Sequence, residues 1–184
     1  MKFSTLAVAA ALSILATNAS AQSTVEVGGM AMYPSKDIVD NAVNSKDHTT
    51  LVAAVKAAGL VDALKGKGPL TVFAPVNSAF ASLPAGTVET LLKPENKGTL
   101  TSVLTYHVVA GKYDMMALRN AIKAGKGKAM LKTLAGGMLS ARMNGMHNIQ
   151  IVDQAGNVAN ISTYDVKQSN GVIQVIDRVL MPAM

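Results

Sequence analysis

The spacing of apolar residues along this chain changes from helical to alternating near Gly125, and this change limits the fold more than any other feature. Before this glycine, apolar residues such as Leu100, Val103 and Leu104 recur at the spacing of one helix face. After it, apolar and polar residues alternate in short runs that are separated by turn-forming glycine and asparagine. Helices followed by strands predict an α+β fold, with helices mainly in the first half and strands in the second.

Capping residues, proline and glycine set the limits of the predicted elements. Helices are predicted over 38–43, 51–58, 87–92, 97–106 and 115–122, with Ser35, Asp47 and Asp114 as N-caps, and Asn77 is predicted to cap a short helical turn. Strands are predicted over 70–74, 129–134, 138–143, 147–152, 158–166 and 172–180. Asn144-Gly145 favours a tight hairpin turn, so the second half is predicted to be a meander.

The first residues are typical of an export signal. Lys2 is followed by an apolar stretch over 6–16 that is too short to span a bilayer, and Ala19 and Ala21 suit a signal peptidase. We therefore expect cleavage before Gln22, which removes residues 1–21 and sends the protein to the periplasm or the cell exterior. Residues 22–32 are predicted to be a flexible lead and residues 33–184 a single domain without a transmembrane segment.

The chain contains no cysteine, although exported proteins are often stabilised by disulfides. Hydrophobic residues make up 49% of the sequence, but aromatic residues make up only 4%. The core is therefore expected to consist of packed Val, Leu, Ile, Ala and Met side chains. Thiolate metal sites are excluded, and no cofactor is expected.

Basic residues are concentrated in one segment. Residues 115–152 contain no acid and six basic residues, namely Arg119, Lys123, Lys126, Lys128, Lys132 and Arg142. Such a segment attracts polyanions in a salt-sensitive way, although spaced lysines also serve simply to keep a surface solvated. No aromatic residue lies within the segment to stack on bases, and export also argues against nucleic acid as a partner.

Three segments of the chain resemble signature segments of the fasciclin domain family. Residues 71–80 (TVFAPVNSAF) and 170–177 (NGVIQVID) are similar to its two conserved boxes, and residues 104–109 (LTYHVV) are similar to its central motif. Their order and spacing also match, over about residues 33–183. The resemblance implies a β-wedge or sandwich packed with several helices, in secreted and surface proteins that mediate adhesion or other extracellular binding.

The resemblance also implies candidate binding residues. In some animal members, a Tyr-His pair and an Asp-hydrophobic pair are linked to integrin binding; here they correspond to Tyr106-His107 and Asp165-Val166. The residue types alone support another interpretation, in which Tyr106 and His107 are anchored in the core with their polar atoms bonded to the backbone. The chain departs from the family at Val76, usually a small polar residue, and at Gln174, usually a histidine.

Methionine is unusually frequent, with 11 residues in the chain. Met143, Met146 and His147 lie close together in sequence, and thioethers are suitable ligands for Cu(I). A periplasmic Cu(I)-binding protein is therefore the second hypothesis. Methionine also fills irregular cores where aromatic residues are scarce, which is the simpler interpretation.

The sequence gives little support for catalysis. Ser78 lacks the Gly-x-Ser-x-Gly surroundings of a nucleophile elbow, and there are only three histidines and no glycine-rich phosphate loop. We therefore predict a binding or adhesion module rather than an enzyme. Its expected partner is a cell-surface polysaccharide or an extracellular or periplasmic protein.

Overall fold

A computed structural model describes residues 24–182. The predicted signal peptide and its cleavage site before Gln22 lie outside the described residues. The helices are α1 (Ile38–Ala42), α2 (Thr49–Ala58), α3 (Val61–Lys65), α4 (Asn77–Ala81), α5 (Thr87–Leu92), α6 (Lys97–Tyr106) and α7 (Met115–Ala124), with short 3₁₀ turns at Lys46–His48 and Pro94–Asn96. The strands are β1 (Val25–Val27), β2 (Met30–Met32), β3 (Leu70–Pro75), β4 (Val108–Ala110), β5 (Lys128–Lys132), β6 (Met138–Asn144), β7 (Asn148–Val152), β8 (Val158–Gln168) and β9 (Gly171–Ile176).

Seven of these strands form one mixed sheet in the order β4-β3-β9-β8-β7-β6-β5. The last strand, β9, inserts between β3, to which it is parallel, and β8, to which it is antiparallel. Strands β5 to β8 form the predicted antiparallel meander. A further bridge joins Val109 to Thr133, so the two edges of the sheet approach each other.

Two clusters of buried side chains hold the sheet and the helices together. The first lies mainly between β3, β9 and the early helices, and it includes Leu51, Val55, Leu100 and Ile173. The second lies under the meander, where alternate residues of β5 to β8 pack against Leu118 and Ile122 of α7 and similar side chains. The opposite face of the meander carries the other members of the alternation, among them the exposed Lys128, Met130 and Lys132 of β5.

The prediction of a flexible lead over residues 22–32 was wrong for residues 25–32. Residues 25–32 form the β1–β2 hairpin, and Val27 and Met32 are buried in the first cluster. Gly28 and Gly29 both have positive φ angles, which suits the tight turn between the two strands. The packed fold thus begins before residue 33.

Two predicted helix caps were also placed incorrectly. Asp37, rather than Ser35, caps α1, because its Oδ1 accepts a hydrogen bond from the Asp40 N–H at 2.8 Å. Asp47 lies inside the 3₁₀ turn that precedes α2 and does not cap that helix. Asp114, in contrast, caps α7 as predicted, with its Oδ1 2.8 Å from the Ala117 nitrogen.

Asn77 caps a helix, but not the one that the sequence predicted. It lies at the start of α4, whose own N-cap is Val76. Its Oδ1 accepts hydrogen bonds from the Thr50 N–H at 3.0 Å and from the Thr49 hydroxyl at 3.2 Å. Its Nδ2 donates to the Lys46 carbonyl at 2.8 Å. Asn77 therefore fixes the start of α2 from a position 27 residues further along the chain.

Replacement of Asn77 by alanine is expected to lower the free energy of unfolding by about 1–2 kcal/mol, because the first turn of α2 loses its side-chain acceptor. Urea denaturation followed by circular dichroism measures this loss. Ser78→Ala is the matched control, since Ser78 is exposed and adjacent. Equal losses in the two variants would show that Asn77 does not act as the cap.

Candidate functional site

Tyr106 is fully buried at the end of α6, with 0% of its surface exposed. Its hydroxyl donates a hydrogen bond to the Met138 carbonyl at 2.9 Å and accepts one from the Gln154 N–H at 3.0 Å. The phenol thus joins α6 to the start of β6 and to the turn before β8. This arrangement confirms the interpretation of Tyr106 as an internal anchor.

His107 is buried beside it, with 2% of its surface exposed. Its Nε2 accepts a hydrogen bond from the Leu180 N–H at 2.9 Å, so the ring proton must lie on Nδ1, which donates to the Val103 carbonyl at 2.8 Å. The ring is therefore neutral and both nitrogens are satisfied. Burial lowers the pKa of His107 to about 4, from an ordinary value of 6.5.

Asp165 and Val166 are also occupied within the protein. Val166 is 1% exposed and belongs to the first core cluster. Asp165 has a φ of 56°, and its Oδ1 accepts a hydrogen bond from the Met115 N–H at 2.7 Å, at the start of α7. Tyr106, His107 and Val166 thus offer almost no surface to a partner. These contacts favour the anchoring interpretation, and a contact site at these positions stays a prediction implied by the resemblance.

Gln174 holds Asp165 in place by hydrogen bonds to its backbone and to its side chain. Its side chain is fully buried, and its Oε1 accepts a hydrogen bond from the Asp165 N–H at 3.1 Å. Its Nε2 donates to Asp165 Oδ1 at 2.9 Å and to the Tyr113 carbonyl at 3.0 Å. The amide therefore makes three internal hydrogen bonds at a position where a histidine was expected, and it does so without a titratable group.

The structure divides the basic segment into separate groups. Arg119 lies on α7 and donates to the carbonyls of Met146 and His147 at 3.2 and 3.1 Å, so it holds the β6–β7 turn. Lys123 and Lys126 are exposed at the end of α7 and in the turn that follows it. The remaining three basic residues, Lys128, Lys132 and Arg142, project from the face of the meander opposite the second core cluster.

We call that side of β5 to β8 the outer face. Its central feature is a row of register partners that crosses four strands, formed by Lys128, Arg142, Gln150 and Asn160. Arg142 Nε donates to Gln150 Oε1 at 3.3 Å, and Gln150 Nε2 donates to Asn160 Oδ1 at 3.0 Å. Asn160 Nδ2 then donates to the Asp177 carboxylate at 2.8 Å. The row is therefore cationic at the β5 end and ends at an acid.

The cations of the outer face have no acidic partner in the part of the chain that the structure describes. Within residues 24–182, the ion pairs shorter than 4.0 Å join Lys65 to Asp37 and Asp40, and none involves Lys128, Lys132 or Arg142. Asp177 is engaged by both the backbone and the side chain of Asn160. The β5 side of the outer face thus presents uncompensated positive charge to solvent.

Comparison with known proteins assigns the family. The profile of the fasciclin domain matches residues 46–182, which include all three signature segments. The chain belongs to the fasciclin domain family. The resemblance drawn from the sequence is confirmed by this match.

Relatives of this fasciclin domain occur in bacteria. Protein sll1483 of Synechocystis sp. is 47% identical over 147 residues, covering 80% of this chain and 74% of that protein. The cell surface glycolipoprotein MPB83 of Mycobacterium bovis is 35% identical over 161 residues, covering 85% of this chain and 64% of that protein.

A solved structure shares the fold. A FAS1 domain pair from the insect cell adhesion molecule fasciclin I superimposes with a TM-score of 0.70 at 19% identity. The match covers 88% of this chain and 58% of that chain, which contains two domains. The predicted α+β fasciclin fold is therefore confirmed, with helices mainly in the first half and strands in the second.

The fasciclin domain places the candidate copper ligands in different surroundings. Met143 lies on the inner side of β6 and packs against the second core cluster. Met146 is 84% exposed in the β6–β7 turn, next to the exposed His147. Nothing in this arrangement favours a shared metal. In the part of the chain that the structure describes, no group of three or more His, Asp or Glu side chains could hold a metal ion.

The helices of this fasciclin domain are short, and α2, α6 and α7 have 10 residues each. None of the helices within residues 24–182 is long and apolar enough to cross a membrane.

Proposed function

We propose that this protein is an exported binding module of the adhesion type, and that its outer face holds an anionic polymer of the cell surface. The family supports a role in adhesion, because the superimposed insect domains come from a cell adhesion molecule. Export is supported by the predicted signal peptide and by the relative that is named a cell surface glycolipoprotein. Binding, rather than catalysis, fits a protein whose Tyr106 and His107 are buried and hydrogen-bonded internally.

The observation that carries this proposal is the set of cations on the outer face. Lys128, Lys132 and Arg142 are exposed and project from one face of two adjacent strands, without acidic partners in the described chain. A polymer with repeated negative charges gains from several such groups at once, and its binding weakens as salt screens them. The polar row also spans about 14 Å from Lys128 to Asn160, at about 4.8 Å per strand.

The chemistry of the row favours an acidic polysaccharide over nucleic acid. Arg142, Gln150 and Asn160 supply guanidinium and amide groups, which bind carboxylates, sulfates and hydroxyls. Single-stranded nucleic acid is held largely by stacking on aromatic rings, and residues 115–152 contain no Phe, Tyr or Trp. The proposed ligand is thus a sugar polymer that carries acidic groups.

The proposal is tested with a triple variant that removes the three cations of the outer face, Lys128→Gln, Lys132→Gln and Arg142→Gln. Its affinity for an immobilised acidic polysaccharide should fall about tenfold at low salt, since each exposed cation contributes about 0.5 kcal/mol. Surface plasmon resonance across a salt series measures this loss, with a neutral polysaccharide as reference. Wild-type binding should weaken steadily with added salt.

A second triple variant separates the site from net charge. Lys56→Gln, Lys93→Gln and Lys97→Gln remove the same charge from exposed positions in the helical half. This control should retain most of the wild-type affinity. If both variants lose affinity equally, only the overall charge matters and the outer face is not the site. If the wild-type protein binds no acidic polysaccharide, the proposal fails outright.

A further inference from the structure

A separate cleft of about 540 Å³ opens at the other end of β8, where that strand turns into β9. Its lining includes three lysines, Lys65, Lys67 and Lys112, together with Asp37, Ser169 and Asn170. We propose that this cleft binds a phosphate-sized dianion, in particular the terminal group of a phosphomonoester. The cleft has walls fixed by hydrogen bonds and an excess of positive charge.

The walls of the cleft are held in place by Asn170. Its Nδ2 donates to the carbonyls of Leu64 and Gly66 at 2.8 and 3.1 Å, and its Oδ1 accepts from the Ile38 N–H at 3.1 Å. A Cβ on Gly68 would overlap the Asn170 carbonyl, so the loop after α3 lies directly against the β8–β9 turn. A cleft with fixed walls loses little conformational entropy when it binds a ligand.

The charges that face the cleft do not cancel. Lys65 Nζ lies 3.6 Å from Asp37 Oδ2 and also bonds Asp40, so this lysine and the two acids together carry one net negative charge, and Lys67 and Lys112 bring the formal total to one net positive charge. Lys67 and Lys112 are exposed and have no acid within 4.0 Å in the described chain. Two free ammonium groups therefore face one polar cleft, and each offers three donors.

This arrangement selects for a compact anion with more than one charge. The Coulomb attraction between two ammonium groups and a dianion is about twice that for a monoanion at the same distances. Lysine binds phosphate well as a point charge, and the Ser169 hydroxyl is a further donor in the lining. A cleft of this size also has room for a sugar-sized group attached to the phosphate.

The cleft is independent of the outer face. Asn160, at the outer face, and Gln168, in the cleft lining, belong to the same strand but are eight residues apart. At about 3.3 Å per residue, this corresponds to a separation of roughly 26 Å along the strand. Loss of one binding activity by substitution should therefore leave the other unchanged, so the two proposals can fail separately.

The test is titration of the full mature chain with inorganic phosphate at low ionic strength, followed by NMR chemical shifts and by calorimetry. We expect shifts around Lys67, Lys112 and Ser169, and a dissociation constant that rises about tenfold in either Lys67→Gln or Lys112→Gln. Lys123→Gln, at an exposed lysine of α7, is the matched control and should bind as the wild type does. Both substituted cleft lysines are exposed, so the variants should remain folded, which circular dichroism checks.

Further ligands identify the source of the phosphate. Tighter binding of glycerol 3-phosphate than of phosphate would indicate a soluble ester, and cleft-dependent binding to vesicles containing phosphatidic acid would indicate a lipid headgroup. Both results support the proposed chemistry. No detectable binding of phosphate, or wild-type affinity in the Lys67→Gln, Lys112→Gln double variant, would overturn it. Equal binding of acetate and phosphate would also overturn the selection for a dianion.

Discussion

Replacement of Gly171 by alanine is expected to lower the free energy of unfolding by about 3 kcal/mol or more, a large part of the total stability of a domain of this size. A Cβ at this position would overlap the carbonyl oxygen of Leu70 and lie 2.9 Å from its carbonyl carbon. Leu70 and Gly171 are register partners in the parallel β3–β9 pair. The clash is therefore between two backbones, and no side chain can rotate to relieve it.

The strands on either side of this contact cannot easily move apart. All residues of β9 are buried, and β3 is buried from Thr71 to Pro75, so separation would open the middle of the sheet. Urea denaturation measures the effect. Gly98→Ala is the matched control, because a Cβ on Gly98 meets nothing within 4 Å and alanine favours the helix in which it lies. A loss of less than about 1 kcal/mol in Gly171→Ala would contradict the close approach.

The second large effect is expected on acidification. The pKa of His107 is about 4 in the folded protein and 6.5 as its ordinary value, because burial disfavours the charged ring. Between these two pH values the unfolded chain binds the proton and the folded protein does not. The contribution of His107 to the free energy of unfolding is therefore fully present above pH 6.5. It is lost as the pH falls towards 4, and the loss amounts to about 3 kcal/mol in total.

Urea unfolding at a series of pH values measures this dependence. His107→Gln should have a shallower pH dependence over the same window, whatever its stability at neutral pH, because it lacks the titrating group. Part of the slope should remain, since burial also lowers the pKa of His48, which is 3% exposed. A slope that is identical in wild type and His107→Gln would refute the assignment.

Much of the fold could be predicted because its signals are local. The meander follows from alternation and from the Asn144-Gly145 turn, and the cap at Asp114 was read correctly from its neighbours. The fasciclin family could be recognised from three short segments. Errors arose where a local signal had two interpretations. Gly28-Gly29 suggested a flexible lead, yet it forms the turn of a hairpin that packs on the core.

The candidate sites were less accessible to sequence analysis. The basic segment was visible as six residues without an acid, but the sequence could not separate Arg119, which binds the β6–β7 turn, from Lys128 and Arg142 on the outer face. Gln150, Asn160 and Asp177 were missed, because their alignment depends on strand register. The cleft was missed for a similar reason: Lys67 and Lys112 line the same cleft because β3 pairs with β4.

The sequence by itself determined the order and type of most elements, the family, and the residues available for each kind of chemistry. These depend on periodicity and capping, which act over a few residues. Only the tertiary structure decided which polar groups are hydrogen-bonded inside the protein and which remain exposed. Tyr106, His107 and Asp165 bond backbone groups that are distant in sequence, whereas Lys128 and Lys132 remain exposed. The physical reason is that burial and pairing depend on which strands lie side by side, and β9, near the end of the described chain, pairs with β3 from its first half.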